Sequence, residues 1–319
     1  MEWKKLGKLF DPTGHVLPNG CTEFAQSPQA LVFDTFVRIY FSTRKRDSAD
    51  KYISHVAFID MDKRFKKVLR ISHHTVLPMG KLGCFDEHGI FPLNVARDRR
   101  KIWGYIGGWS RRKAVSVETS IGLAISKDSG RTYKRVGDGP ILTSSLHEPF
   151  LVGDPFVRKF GNIFHMWYIF GVRWILNAKN SSPERIYKIG HATSFDGISW
   201  KKDNRKSVTD KLGDNECQAL PTVIDFNGKY HMFFCYRKAF DFRNNKSKSY
   251  RIGYAYSSDL NNWIRNDKEA GIGVSENGWD SDMMCYPHVF RCDGKIYLLY
   301  NGNDFGRHGF GLAVLENYE

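Results

Sequence analysis

One unit recurs five times along this 319-residue chain, and no other feature limits the fold so sharply. Each copy opens with an acid, then a proline inside a short apolar strand, a polar turn and an aromatic strand. The five openings are TEFAQSPQALVF, DEHGIFPLNVA, HEPFLVGDPFVRKF, NECQALPTVIDF and SDMMCYPHVFRC. Their prolines, Pro28, Pro92, Pro155, Pro221 and Pro287, are spaced by 64, 63, 66 and 66 residues. Five residues before four of them stand Glu23, Glu87, Glu216 and Asp282. In the third copy Glu148 lies seven before Pro155, and Asp154 directly precedes it.

Every copy continues in step. A second strand (VRIYFSTR, KIWGYIGGW, NIFHMWYIFG, KYHMFFCYR, KIYLLYNGN) and a third (YISHVAFID, SIGLAISKD, YKIGHATSFD, YRIGYAYSSD, GFGLAVLE) alternate as half-buried strands do. A fourth closes around an aromatic-basic pair in FKKVLR, TYKRV, SWKKD and NWIRND, but the last copy has none. EWKKLG at residues 2–7 copies that pattern, so the N-terminal strand is predicted to complete the last sheet. Four-stranded units repeated around a ring predict an all-β, five-bladed β-propeller, with residues 1–319 forming one domain. The turns SKDSGRTY, SFDGISW and SSDLNNW read as hairpin clasps, in which Ser, Asp and Gly serve backbone geometry rather than chemistry.

Antiparallel strands place three sets of residues on one face: the start of strand one, the end of strand two and the start of strand three. That face is predicted to gather the acids Glu23, Asp86, Glu87, Glu148, Asp154, Glu216, Asp280 and Asp282. It also takes Arg44, Trp109, Arg173, Trp174, Arg237, Asn301 and Asn303 from second strands. The loops SRRKAVSVE, ILNAKNSSPER and KAFDFRNNKSKS lie there too. Lys4, Lys5, Lys201 and Lys202 on fourth strands read as charges that blunt an outer edge. A formal charge of +14 favours an anionic partner. An inner ring of carboxylates repels a nucleic acid, however, and no nucleic-acid-binding motif is present.

The arrangement suits a sugar: carboxylates bind hydroxyls and move protons, aromatic rings stack, and arginines hold an anionic substituent. Glycoside chemistry commonly uses two carboxyl groups, one protonated and one ionised, and acids crowded at a propeller mouth raise one another's pKa. The six cysteines show no zinc spacing, and no metal or cofactor is expected. No apolar run is long enough to span a bilayer. The N-terminal MEWKKLGKLFDPTGH lacks the apolar core of a secretory signal, which predicts a cytoplasmic protein.

At the level of motifs the chain resembles the five-bladed propeller glycosidase superfamily, which includes the arabinanase/β-xylosidase, invertase and β-mannoside phosphorylase families. Gly153-Asp154-Pro155 resembles the Asp-Pro motif of the third blade, whose Asp tunes the acid or stabilises the transition state. Asn215-Glu216-Cys217 resembles the Glu-Cys of the invertase group, whose Glu is the general acid. GIFP, MWY, YRIGYAYSSD, GWDSDMMCYP and LLYNGNDFG resemble members encoded among surface-polysaccharide genes. The resemblance implies an enzyme that cleaves or transfers a glycosyl group on an anionic or phosphorylated glycan. Its alternatives are a phosphorylase or glycosyltransferase, or a sugar-binding propeller without catalysis. Catalytic roles are expected for Glu216, Asp154, Glu87 and Glu23. Substrate contacts are expected from Asp86, His88, Arg44, Trp109, Arg173, Trp174, Arg237, Asp282, His288 and Asn301. One departure stands out: the hydrolytic families carry an Asp before the first-blade proline, and here it is Ser27. Either Glu23, Asp86 or Glu87 replaces it, or the nucleophile is not water.

Overall fold

The computed structural model describes residues 1–99, 101–177 and 180–317. It consists of antiparallel sheets arranged as five blades. Blade 1 is Glu23–Val32, Phe36–Arg46, Tyr52–Asp62 and Val68–Ile71; blade 2 is Gly89–Asp98, Lys101–Arg111, Val117–Ser126 and Lys134–Arg135. Blade 3 is Val152–Phe160, Ile163–Asn177, Asn180–Ser194 and Lys201–Lys202; blade 4 is Glu216–Phe226, Lys229–Lys238, Arg251–Ser257 and Ile264–Arg265. In blade 5, Cys285–Cys292, Lys295–Asn301 and Phe310–Asn317 are joined by the N-terminal strand Glu2–Phe10, as the WKK pattern predicted. Among the described residues no helix is long and apolar enough to cross a membrane.

Each blade buries both faces against its two neighbours, and the core accordingly divides into five clusters. Phe41, Phe310 and Phe10 pack between blades 5 and 1, Phe58, Leu93 and Tyr133 between 1 and 2, and Tyr105, Phe164 and Tyr168 between 2 and 3. Trp167, Phe234 and Trp263 fill the next interface, and Phe233, Tyr254, Leu298 and Tyr300 the last. The turn motifs are clasps, as read: Ser126 Oγ accepts from Gly130 N at 2.8 Å and donates to Asp128 at 2.8 Å. Ser194–Asp196 and Ser257–Asp259 repeat the bond at 2.9 and 3.0 Å.

The N-terminal strand latches the ring through Trp3, which pairs with Leu315, meets Phe233 edge-on at 5.5 Å and is 6 % exposed. Truncating so buried an aromatic removes both its transfer energy and its packing. Trp3→Ala is therefore expected to cost about 3–5 kcal/mol in chemical denaturation. A loss below about 1 kcal/mol would show that the latch carries little of the closure.

The prolines explain how the inner strands aim their side chains. Proline cannot donate to a sheet ladder, and in every blade the pairing skips a register across the X-Pro step. Ser27, Asp154, Leu220 and Tyr286, each directly before a proline, adopt positive φ of 53, 50, 48 and 56°. Non-glycine residues reach that region at an energetic cost. Of these four, Asp154 and Tyr286 line the axial cavity.

Candidate functional site

Three pre-proline residues, Phe91, Asp154 and Tyr286, line an axial cavity of ≈ 250 Å³ together with Ala219 of blade 4. Tyr52 joins them from the beginning of a third strand, Tyr250 from just before one, Arg185 and Tyr187 from within the long third strand of blade 3, and Arg44 and Trp109 from the ends of second strands. Thr119, Leu151, Gly153 and Ile169 complete the wall nearest Asp154. The volume is below the roughly 300 Å³ at which drug-sized ligands begin, so the space suits one small ring. Gly89 makes room at the rim, since a Cβ there would lie 2.5 Å from Trp109 Nε1.

Asp154 is the only carboxylate among the described lining residues. Burial pushes its pKa up to about 7, against the opposing pull of the Arg185 charge and the Leu220 N–H. It is thus poised to give or take a proton near neutrality. Burial lowers the pKa of Arg44, and the Arg185 charge lowers it further. Arg44 Nε is buried without a hydrogen-bond partner. A buried cation without a carboxylate is costly unless an anion completes it. Behind the wall, Arg237 Nη2 donates to Tyr187 Oη at 3.1 Å, and Tyr187 Oη meets Tyr250 Oη at 2.7 Å.

The predicted ring of carboxylates is not there. Glu216 does not line the cavity; it is fully buried, with Oε1 2.6 Å from Arg265 Nη1 and 2.9 Å from Gln218 Nε2. Its Oε2 accepts from the backbone N–H groups of Lys211 and Leu212 at 2.9 and 2.8 Å. Every oxygen is thereby engaged away from the axis. Glu148 is bound to Lys202 at 2.6 Å and Tyr168 Oη at 2.7 Å, and Asp86 to Arg135 at 2.5 Å. Asp280 is bound to Lys5 at 2.7 Å and Tyr300 Oη at 3.1 Å. In four blades, then, an acid ahead of or at the start of the first strand is riveted to a base on the fourth strand of the same blade. That corrects three expectations: Glu216 as general acid, Asp86 as substrate contact, and Lys5 and Lys202 as simple edge charges.

Other candidates lie at the rim or inside the walls. Glu23 accepts from Tyr52 Oη at 2.8 Å and Arg307 Nε at 2.7 Å, so it reaches the cavity only through Tyr52. Glu87 shapes a turn by accepting from Gly83 N at 2.7 Å and sits 3.2 Å from His88 Nδ1, while His88 stacks near Trp109 at 6.0 Å. Asp282 pairs with Lys246 on an outer loop, and Arg173 donates to Asn215 at 2.7 Å at the surface. Trp174 packs against the hydrophobic core. Arg237 lies 3.5 Å from the Phe242 ring centroid, supporting the tyrosines rather than facing the cavity. His288 is buried near Phe156 and Phe290, where burial lowers its pKa to about 3. Asn301 ties blade 5 to blade 1, accepting from Ser27 N at 2.7 Å and donating to Ala25 O at 2.8 Å.

Of the expected residues, Asp154, Arg44 and Trp109 meet in the cavity. Arg185 and the four tyrosines were missed, although Tyr52, Tyr187 and Tyr250 open the third-strand segments YISHVAFID, YKIGHATSFD and YRIGYAYSSD and Arg185 closes the loop segment ILNAKNSSPER, which strand direction assigns to this face. Among the described residues no group of three or more His, Cys, Asp and Glu could hold a metal ion.

The five blades around an axial cavity make the molecule a five-bladed β-propeller, a fold it shares with solved glycoside hydrolases. One solved glycoside hydrolase superposes with a TM-score of 0.74 at 18% identity, covering 98% of this chain and 92% of the other. The GH43_1 enzyme of Xanthomonas citri complexed with xylose gives 0.62 at 15% identity, covering 98% and 91%. By sequence, the chain is 34% identical over 319 residues to uncharacterised proteins of two Mycobacterium tuberculosis strains, CDC 1551 and H37Rv, covering 99% of this chain and 100% of theirs. It belongs to the same family as those mycobacterial proteins. No protein-family model matches the chain.

Proposed function

We propose that the protein is a carbohydrate-active enzyme that cleaves or transfers a glycosyl unit bearing an anionic group, with Asp154 as its general acid and no protein base. The observation that carries this reading is one buried carboxyl group with a pKa near 7 sharing its cavity with Arg44 and Arg185 and with no second carboxylate among the described lining residues. Hydrolysis in the usual manner needs a second carboxylate to activate water or to attack. An anionic acceptor such as inorganic phosphate needs none, because it brings its own nucleophilic oxygen. Protonated Asp154 gives its proton to the departing glycosidic oxygen as an acceptor oxygen bonds the anomeric carbon, and the acceptor's proton restores the acid. Arg44 and Arg185 offset the acceptor's charge, and the cavity aromatics stack on the ring.

The test is a screen of glycans and sugar phosphates with and without inorganic phosphate. Turnover is expected to need the acceptor, and Arg44→Ala is expected to raise the acceptor's KM by about tenfold or more, as loss of a charge-assisted hydrogen bond does. Hydrolysis at equal rates without any acceptor would reject the assignment. A second reading, a sugar-binding propeller without catalysis, is favoured by the locking of Glu216 into an ion pair. It is distinguished by glycan affinity in calorimetry without any product.

A further inference from the structure

The axial cavity has an outlet on one side. Tyr52, Trp109 and Val117 line both the cavity and an adjoining groove of ≈ 480 Å³. The groove runs between Lys51 of blade 1, the loop between the second and third strands of blade 2, and Ser182 and Pro183 of blade 3. Lys51, Arg111, Arg112 and Lys113 line it, and no Asp or Glu is among its described lining residues.

These cations are not equivalent. Arg111 is held by Asp47 at 2.6 Å and donates to Tyr52 O at 2.8 Å, so it fixes the junction. Arg112 is 3.3 Å from Glu118, while Lys51 and Lys113 are exposed with no carboxylate partner among the described residues. Arg185 bridges the two spaces: it lines the cavity, and its Nη1 donates to Ser116 Oγ of the groove wall at 3.3 Å.

We propose that this groove is a second binding site, which takes the continuation of an acidic glycan chain whose end unit occupies the axial cavity. The inference rests on the reading of the cavity as a sugar site and adds that the ligand is an oligomer. The cavity holds one ring, and its open side leads over Tyr52 and Trp109, whose faces suit the unit crossing the junction. Beyond them Arg111 and Arg112 each have a carboxylate partner and Lys51 and Lys113 add cations unpaired among the described residues, a positive excess that a neutral chain would leave unused and a repeating anion would meet at successive units. Uronate and phosphodiester groups share the required chemistry.

Calorimetry on the intact protein with two ladders, oligogalacturonates and glycerol phosphate oligomers from one to four units, tests the proposal and tells the two anions apart. The trimer of the matching ladder is expected to bind about tenfold tighter than the monomer, since each exposed ion pair contributes a few-fold at most. That advantage is expected to shrink at about 0.5 M salt. Arg112→Ala/Lys113→Ala is expected to flatten the ladder while leaving monomer affinity unchanged. Equal affinity at every length, or a ladder that survives the double substitution, would overturn the groove while leaving the cavity reading intact. Failure of both monomers and all longer members to bind would overturn both.

Discussion

Asp154→Asn is expected to abolish turnover and, at pH 8, to make the protein more stable. Loss of a positioned general acid typically lowers rates by about 10²–10⁴-fold. The stability effect follows from the same burial. Unfolded, the carboxyl has the ordinary value of 3.8; folded, it is raised to about 7. Between those values the folded state binds more proton than the unfolded one, so stability falls as pH rises through that window and the full penalty is present above it. A shift of that size corresponds to at most roughly 4 kcal/mol, and asparagine, which does not ionise, escapes it. Denaturation midpoints of both proteins at pH 5 and pH 8 measure the difference. The two proteins keeping a constant stability gap at both pH values would show that Asp154 is not the buried titrating acid. In wild type, kcat/KM is expected to be level below about pH 7 and to fall above it as the acid ionises.

Glu216→Ala should do the opposite: lower stability by about 1–3 kcal/mol, the cost of leaving buried donors without their acceptor, while Arg265 keeps Asp267 at 3.0 Å. Arg265 would lose the carboxylate at 2.6 Å, and the Lys211 and Leu212 N–H groups would lose their acceptor. The folded fraction is expected to retain its turnover number. Denaturant titration and an assay corrected for folded protein separate the two quantities. A fully stable Glu216→Ala protein without activity would return Glu216 to the acid's role. The contrast with Asp154 matters because both acids are buried, yet Glu216 has partners for both oxygens and Asp154 faces the axial cavity.

The acids mark the limit of what local sequence encodes. Alternation along VRIYFSTR or KYHMFFCYR is a local consequence of strand geometry, and the recurrence of Pro28 through Pro287 marks where each ladder must break. Those two patterns suffice for five blades and for the WKK latch. The acids recur with the same regularity, but regular spacing cannot distinguish a group aimed at the axis from one aimed at the fourth strand. Asp86, Glu148, Glu216 and Asp280 found Arg135, Lys202, Arg265 and Lys5, residues distant in sequence and adjacent only once each blade is paired.

What the sequence determined by itself was therefore the architecture: repeat number, strand order and the closing strand, all of which follow from periodic hydrogen bonding and alternating burial. The tertiary structure decided which acid lines the axial cavity. Only the bulge at each X-Pro step turns Asp154 inward beside Arg185, and only the packed fourth strands draw the other acids away, because both depend on where the folded backbone points a side chain.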